Sequence, residues 1–274
     1  MAFRCFRRRG TYARWIVLGF ALFILSQLYL TMEPTVSFRE GNYVTVEHIV
    51  ENNIFDRDPA DPDLINHIRK HLMNYLSRGS YNLTNDWTED PAPDLILRID
   101  NYLQKQRNGT YVDIYTKDGE QDSVTLFFER WRGWSGLLVE PSTLNYNIVR
   151  KKRRGTTIIN ACLKTSKGRS TMRFEGKTIH CLWTKSILYA LNIDTIDLLN
   201  IGRDGEEFDN LKSIPYDEFY FRVVAVGFSS DILPKIHNVF NYMDTKGFIA
   251  LHQYVNGNKT DLIFVNKKNK LDFA

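Results

Sequence analysis

The first 32 residues contain no acidic side chain and no lysine, and from Trp15 to Met32 there is no charge of either sign. The basic balance of the 274-residue chain therefore has a local origin. Arg4, Arg7, Arg8, Arg9 and Arg14 precede the uncharged run, and removing those five from the 36 basic residues leaves 31 against 32 acidic ones. A body that close to neutral excludes nucleic acid as a partner held by a basic surface. The uncharged run WIVLGFALFILSQLYLTM also lacks a small-x-small ending, since Leu28-Tyr29-Leu30 stands there, and this excludes a cleaved signal peptide. At about 1.5 Å per residue the run reaches across a hydrocarbon core of roughly 30 Å. Arginines before it, and eight acidic residues against Arg39 and Arg57 over 33–63, orient it with the N-terminus cytosolic. The chain thus reads as a single-pass type II membrane protein, with a cytosolic tail over 1–14, a signal anchor over 15–32 and a lumenal body.

Cysteine is scarce as well: Cys5 lies in the tail, so Cys162 and Cys181 are the remaining pair. Two readings stay open for them, a disulfide across a strand pair in an oxidising lumen and two buried free thiols, and the disulfide is carried forward. Cys5 is placed for palmitoylation or simply as a reduced thiol. A lumenal body agrees with three N-x-[ST] sequons, at Asn82, Asn108 and Asn258.

Residues 33–62, with DRDPADPD, show no helical or strand period and read as an acidic stem. Residues 63–109 read as a helical extension. Ile65, Ile68, Leu72 and Leu76 form one helix face, with Asp63 as N-cap and Gly79 as the stop, and ILRIDNYLQKQ forms a second helix. From Thr110 to the end, short apolar runs alternate with helical stretches, the pattern of a parallel sheet with crossover helices. The predicted strands are 111–115, 136–140, 156–163, 195–201 and 220–228, and residues 248–254 and 260–267 flank Asn256-Gly257-Asn258 as a terminal hairpin. Five α/β units closed by a hairpin is the order of a Rossmann-like methyltransferase, an order that by itself leaves function open.

Ligands of open α/β sheets sit at the carboxyl ends of the strands. There the sequence places Asp113 and Asp118-Gly119 after strand one, Glu140 at the end of strand two, and Gly202-Arg203-Asp204-Gly205-Glu206-Glu207 after strand four. A strand-two acid is suited to ribose hydroxyls, and a loop glycine lets backbone approach a nucleoside; Glu140 and Glu207 also suit the first turn of a helix, where the dipole favours acids. Other chemistries are poorly served. His67 and His71 are four apart but have neither a glutamate between them nor a third ligand, which disfavours zinc. Asp56-Arg57-Asp58 and Asp61-Pro62-Asp63 have the acid-x-acid form of a glycosyltransferase metal site, yet lie in the stem with no strand before them. Arg150 to Arg154 is a basic run ending a helix and reads as a solvated last turn.

YVDIYTKDGEQDSVTLFFERWRGWSGLLVEPSTLNYNIVRKKRRGTTIINACL resembles the FkbM-type methyltransferase domain and, within that family, its Star-like animal branch; TIDLLNIGRDGEEFDNLKSIPYD resembles the second family block. The resemblance covers about residues 64–268. It implies an α/β class I methyltransferase fold over 110–274, with helices on both faces of the sheet and S-adenosylmethionine at Asp113, Asp118, Gly119 and Glu140.

The chain departs from that family at the cofactor end. A glycine position after strand one is Tyr115, followed by Thr116 and Lys117; Ser-Asn-Thr becomes Ser123-Val124-Thr125; Asp-x-Glu-Gly becomes Gly202-Arg203-Asp204-Gly205; and the strand-five acid is Gly227. A phenol where backbone must approach a ligand, with acids lost, predicts a vestigial pocket and no methyl transfer. The alternative is a lumenal O-methyltransferase using S-adenosylmethionine. For a non-enzyme, the Star-like resemblance implies trafficking of transmembrane growth-factor precursors from the endoplasmic reticulum through the Golgi to endosomes, with the face around Tyr115, Lys117 and Arg203 as the expected contact.

Overall fold

The structure, a computed structural model, describes residues 54–76, 79–84, 94–166, 168–229 and 236–269. The tail, the anchor and most of the stem lie outside them. Among the described residues no helix is long and apolar enough to cross a membrane.

The central element is an eight-stranded sheet in the order β1-β4-β3-β2-β8-β9-β11-β10. Its parallel part comprises β2 (Thr110–Ile114), β3 (Ser135–Val139), β4 (Thr157–Ile159), β8 (Thr195–Ile201) and β9 (Tyr220–Ser229). The antiparallel hairpin β10 (Phe248–Asn256) and β11 (Lys259–Asn266) extends one edge, and β1 (Met73–Tyr75) pairs antiparallel with β4 at the other. Strand order reverses between β2 and β8, the switch point where open α/β sheets bind ligands. This is the α/β Rossmann-like sheet, closed by a hairpin, that the alternation of apolar runs predicts.

The runs form strands because both faces of the sheet are covered. Tyr111, Val112, Ile114, Leu137, Leu138, Leu198 and Leu199 are at most 1% exposed, and near-continuous apolar runs are what a parallel sheet buried on both faces needs. One core packs Val112, Ile114 and Leu199 with Ile187 and Leu211. The other packs Tyr111, Leu138 and Leu198 with Phe128 and Trp134. Truncating Phe128 or Trp134, both fully buried, would cost about 3–5 kcal/mol.

The helices on the sheet are capped by their own sequence. Ser123 accepts from the Leu126 N–H to open α3 (Val124–Arg132), which Gly133 ends in the left-handed conformation, and Ser142 accepts from the Asn145 N–H to open α4 (Thr143–Lys152). Further along the chain come α5 (Thr184–Leu191), α6 (Glu207–Lys212) and α7 (Ile236–Thr245); α2 (Asp94–Tyr102) lies within the predicted extension.

Several boundaries differ from expectation. The first helix, α1, spans Pro62–His67, continues as a π-turn over Ile68–Leu72 and then becomes β1, so Leu76 lies beyond it. Its N-cap is Asp61, not Asp63, because Asp61 accepts from the N–H groups of Asp63 and Leu64 while Pro62 supplies the pre-set first turn. The end of the stem is folded: Phe55 is 4% exposed and stacks on His180, ring centroids 4.1 Å apart. Residues 156–163 form two strands rather than one, since Asn160 turns its amide to the carbonyls of Glu140 and Pro141 and interrupts the ladder. The second of them, β5 (Cys162–Leu163), joins a small sheet with the hairpin β6 (Thr171–Phe174) and β7 (Lys177–Leu182), which the sequence reading lacks.

Candidate functional site

A cleft of about 410 Å³ opens at the carboxyl ends of β2, β8 and β9. Asp113, near the end of β2, stands at its base, 1% exposed. Asn200 Nδ2 donates to one of its oxygens at 2.8 Å and Thr125 Oγ1 to the other at 2.6 Å. Arg154 stands behind Thr125, donating to Thr125 Oγ1 at 3.1 Å and to Glu129 at 2.9 Å. Burial raises the Asp113 pKa above the ordinary carboxylate value, opposed by Asn200, Thr125 and the charge of Arg154.

The loop after β2 forms the wall. Tyr115 (φ 60°) and Lys117 (φ 55°) both hold left-handed backbone without being glycine. Strand β8 comes so close that a Cβ on Gly202 would lie 2.4 Å from the Tyr115 carbonyl oxygen, so only glycine fits there. Tyr115 is buried, not exposed as the contact face requires, and its phenol lies in the electrostatic reach of Asp204 and Asn210. Burial first and Asp204 second raise its pKa. Lys117, by contrast, is exposed at the cleft.

Glu140 lies behind this loop and does not line the cleft. One carboxylate oxygen accepts from the Lys117 N–H at 2.7 Å, the other from the Ser142 N–H at 2.9 Å, and the residue is 2% exposed. Burial pushes its pKa up to about 7 against the pull of those donors. Glu175, at the tip of the β6–β7 hairpin, accepts from Ser142 Oγ at 2.9 Å and covers the same strand end. Asp118 holds a turn, accepting from the Glu120 and Gln121 N–H groups at 3.0 and 2.9 Å. Gly119 (φ 71°) is packed beneath Val149, and its carbonyl accepts from Arg154. Of the four residues expected at a cofactor, Asp113 alone lines the cleft.

The second block contributes Arg203, which donates to the Phe228 carbonyl at 3.0 Å and pairs with Asp261 of β11. Its guanidinium lies over Gly227, where a Cβ would come within 3.0 Å of Arg203 Cζ. Burial raises the Asp261 pKa, opposed by Arg203 and Lys259. Lys259 in turn pairs with Asp122 at 3.2 Å across the cleft mouth. Glu207 accepts from the N–H groups of Asp204 and Gly205 at 3.0 Å, a structural use at the start of α6. Sequence reasoning missed Asn200, Asp261, Lys259 and Asp122. Asn200 and Asp261 carry a faint signal as polar residues inside apolar strand runs.

Cys162 and Cys181 are register partners in β5 and β7, and their sulfurs are joined at 2.07 Å. The basic run at the end of α4 is not uniformly solvated. Lys152 pairs with buried Glu120, and Arg154 is fully buried with Glu129, leaving Arg150, Lys151 and Arg153 outside. Asn82, Asn108 and Asn258 are all exposed, and the Asn82 amide donates to the Lys151 carbonyl at 3.1 Å. The rings of His67 and His71 lie tilted at 37° with centroids 5.0 Å apart, and no cluster able to hold a metal ion occurs among the described residues.

No family model matches the sequence, and no curated protein matches it. Solved structures similar in outline include a precorrin-6y C5,15-methyltransferase from Geobacter metallireducens GS-15, with 11% identity, a TM-score of 0.45, and coverage of 68% of this chain and 94% of that one. The human methyltransferase 10 domain containing protein gives 13%, 0.45, 77% and 100% in the same terms. The N-terminal domain of human METTL16 in complex with SAH gives 12%, 0.43, 75% and 82%. Similarities this low describe outline, and the fold assignment rests on strand order and direction.

Proposed function

We propose that this chain is a type II membrane protein of the Star-like, FkbM-type family whose lumenal domain keeps the methyltransferase sheet but not methyl transfer. In this reading it acts as a binding scaffold in the export of transmembrane growth-factor-type cargo from the endoplasmic reticulum through the Golgi to endosomes. The observation that carries the non-catalytic part is the state of Glu140. A ribose needs a free carboxylate at the end of the second strand, and here both oxygens are held by backbone N–H groups behind the Tyr115–Lys117 loop. To meet a ribose in the cleft, which it does not line, Glu140 would have to leave those two donors and turn out from behind the loop. The trafficking role is supported by the family resemblance and by the charge pattern around residues 15–32. The second reading, a lumenal O-methyltransferase, is favoured by the cleft itself, which retains Asp113 and Asn200 at the switch point.

Calorimetric titration of the purified full chain with S-adenosylmethionine separates the two. The scaffold reading expects no heat of binding up to millimolar ligand, and micromolar affinity would establish the enzyme instead. Glycosidase digestion that shifts gel mobility, with a protease-protected C-terminus in sealed microsomes, is the result expected of the topology.

A further inference from the structure

Each charged group lining the cleft has a partner, with one exception. Asp122 pairs with Lys259 and Asp261 with Arg203 across the cleft, while Asp94 pairs with Arg98 at 2.7 Å on its own helix. Asp113 has its donors in Asn200 and Thr125. Lys117 has none: its side chain makes no hydrogen bond or ion pair among the described residues. Yet its backbone is held more firmly than that of an ordinary surface lysine. The N–H is bonded to buried Glu140, and the left-handed φ is a strained setting, costing about 1–2 kcal/mol for a residue with a Cβ.

The cleft that Lys117 lines exposes more apolar than polar surface, with Leu95, Val124, Val226 and exposed Tyr254 among its lining residues. A small free anion would use the ammonium and leave that apolar surface without a partner. A carboxylate flanked by apolar side chains satisfies both surfaces at once.

We infer that the lip of the cleft at Lys117 is a docking site for an acidic side chain, glutamate or aspartate, presented between apolar residues by a protein partner. The inference rests on the scaffold reading and specifies the chemistry that scaffold recognises. Glu140 acts here as a positioning residue, fixing the Lys117 backbone, while the ammonium makes the contact.

The test uses the full chain in detergent micelles, flowed over surfaces bearing acetyl-Leu-Glu-Leu-amide or acetyl-Leu-Gln-Leu-amide coupled through a C-terminal linker. The glutamate peptide is expected to bind about tenfold or more tightly than the glutamine one, the worth of one charge-assisted hydrogen bond, and the preference should weaken with salt. Lys117→Gln should erase the preference and Lys117→Arg should keep it, with urea midpoints unchanged because the side chain faces solvent. Equal or absent binding of the two peptides, or a preference that survives Lys117→Gln, overturns the inference. Inorganic phosphate bound more tightly than the glutamate peptide overturns the protein occupant. S-adenosylmethionine titrated into the same sample keeps the two readings apart. Its binding with the Glu/Gln preference intact sinks the scaffold and leaves the docking site, whereas no preference and no cofactor binding sinks the docking site alone.

Discussion

Replacing Tyr115 by glycine restores the residue type a cofactor loop uses, and the structure predicts that this will neither stabilise the fold nor restore binding. Two effects on stability oppose each other. Glycine removes left-handed strain worth about 1–2 kcal/mol, less about 0.5–1 kcal/mol for the greater freedom of a glycine in the unfolded chain. Against this, truncating a buried aromatic costs roughly 3–5 kcal/mol, and Tyr115 is 7% exposed with its hydroxyl in the electrostatic reach of Asp204 and Asn210. Packing wins, and Tyr115→Gly should destabilise by about 2–4 kcal/mol in urea denaturation. Tyr115→Phe isolates the hydroxyl and should cost about 1 kcal/mol. The cofactor remains unbound in the glycine variant because Glu140 is still held by Lys117 and Ser142, neither of which depends on the phenol. A neutral or stabilised Tyr115→Gly would refute the packing argument. Micromolar S-adenosylmethionine binding by that variant would show the ring, not the committed carboxylate, to be the obstruction.

Arg154→Leu should cost about 3–5 kcal/mol in chemical denaturation by leaving Glu129 charged and buried, and Arg154→Leu with Glu129→Leu should cost less than the single change. Glu140 makes stability depend on pH. Its folded-state pKa of about 7 lies above the ordinary 4.5, so the folded protein holds a proton that the unfolded chain has released between those values. Its contribution is complete below about 4.5 and is lost as pH rises through about 7, up to roughly 3 kcal/mol by pH 8, and Glu140→Gln should flatten urea midpoints measured across that range. Reduction with dithiothreitol, opening a crosslink between residues 19 apart, should lower stability by about 3 kcal/mol. The double serine variant of Cys162 and Cys181 should match the reduced protein and show no further response to dithiothreitol; an unchanged midpoint on reduction would remove the bridge from the account.

The parallel sheet was legible because its strands are buried on both faces, which leaves uninterrupted runs such as TIDLLNI and YFRVVAVGF that no amphipathic helix would show. The hairpin β6–β7 was missed although Thr171–Phe174 and Lys177–Leu182 flank Glu175-Gly176 in a turn. Its exposed positions carry Thr171, Arg173, Lys177 and Thr178, so it lacks the apolar density by which the other strands announce themselves. The start of α1 was missed for a different reason. Asp61-Pro62 is a sound N-cap and first-turn pair, but it sits in an acidic, proline-bearing stretch whose composition reads as stem.

At the site, what was legible was which residues had changed, and what was hidden was where the remaining ones had gone. Nothing near Glu140 in the chain reveals that the N–H of Lys117, 23 residues earlier, will close on its carboxylate. Likewise Arg154 reads locally as the last residue of a solvated basic run, and only the approach of α3 makes it a buried partner of Glu129. The loop after β2 joins these two facts. Its backbone still follows the left-handed path that glycine allows a cofactor loop, but side chains now hold that path: Tyr115 by packing and by Asp204, Lys117 by its N–H to Glu140. Groups the family resemblance assigns to a ligand are internal fastenings here, Glu140 holding the Lys117 and Ser142 N–H groups and Asp118 its own turn. Lys117, whose N–H those fastenings hold and whose side chain is exposed at the cleft, is then the group through which the proposed docking site would gain its preference for an acidic partner.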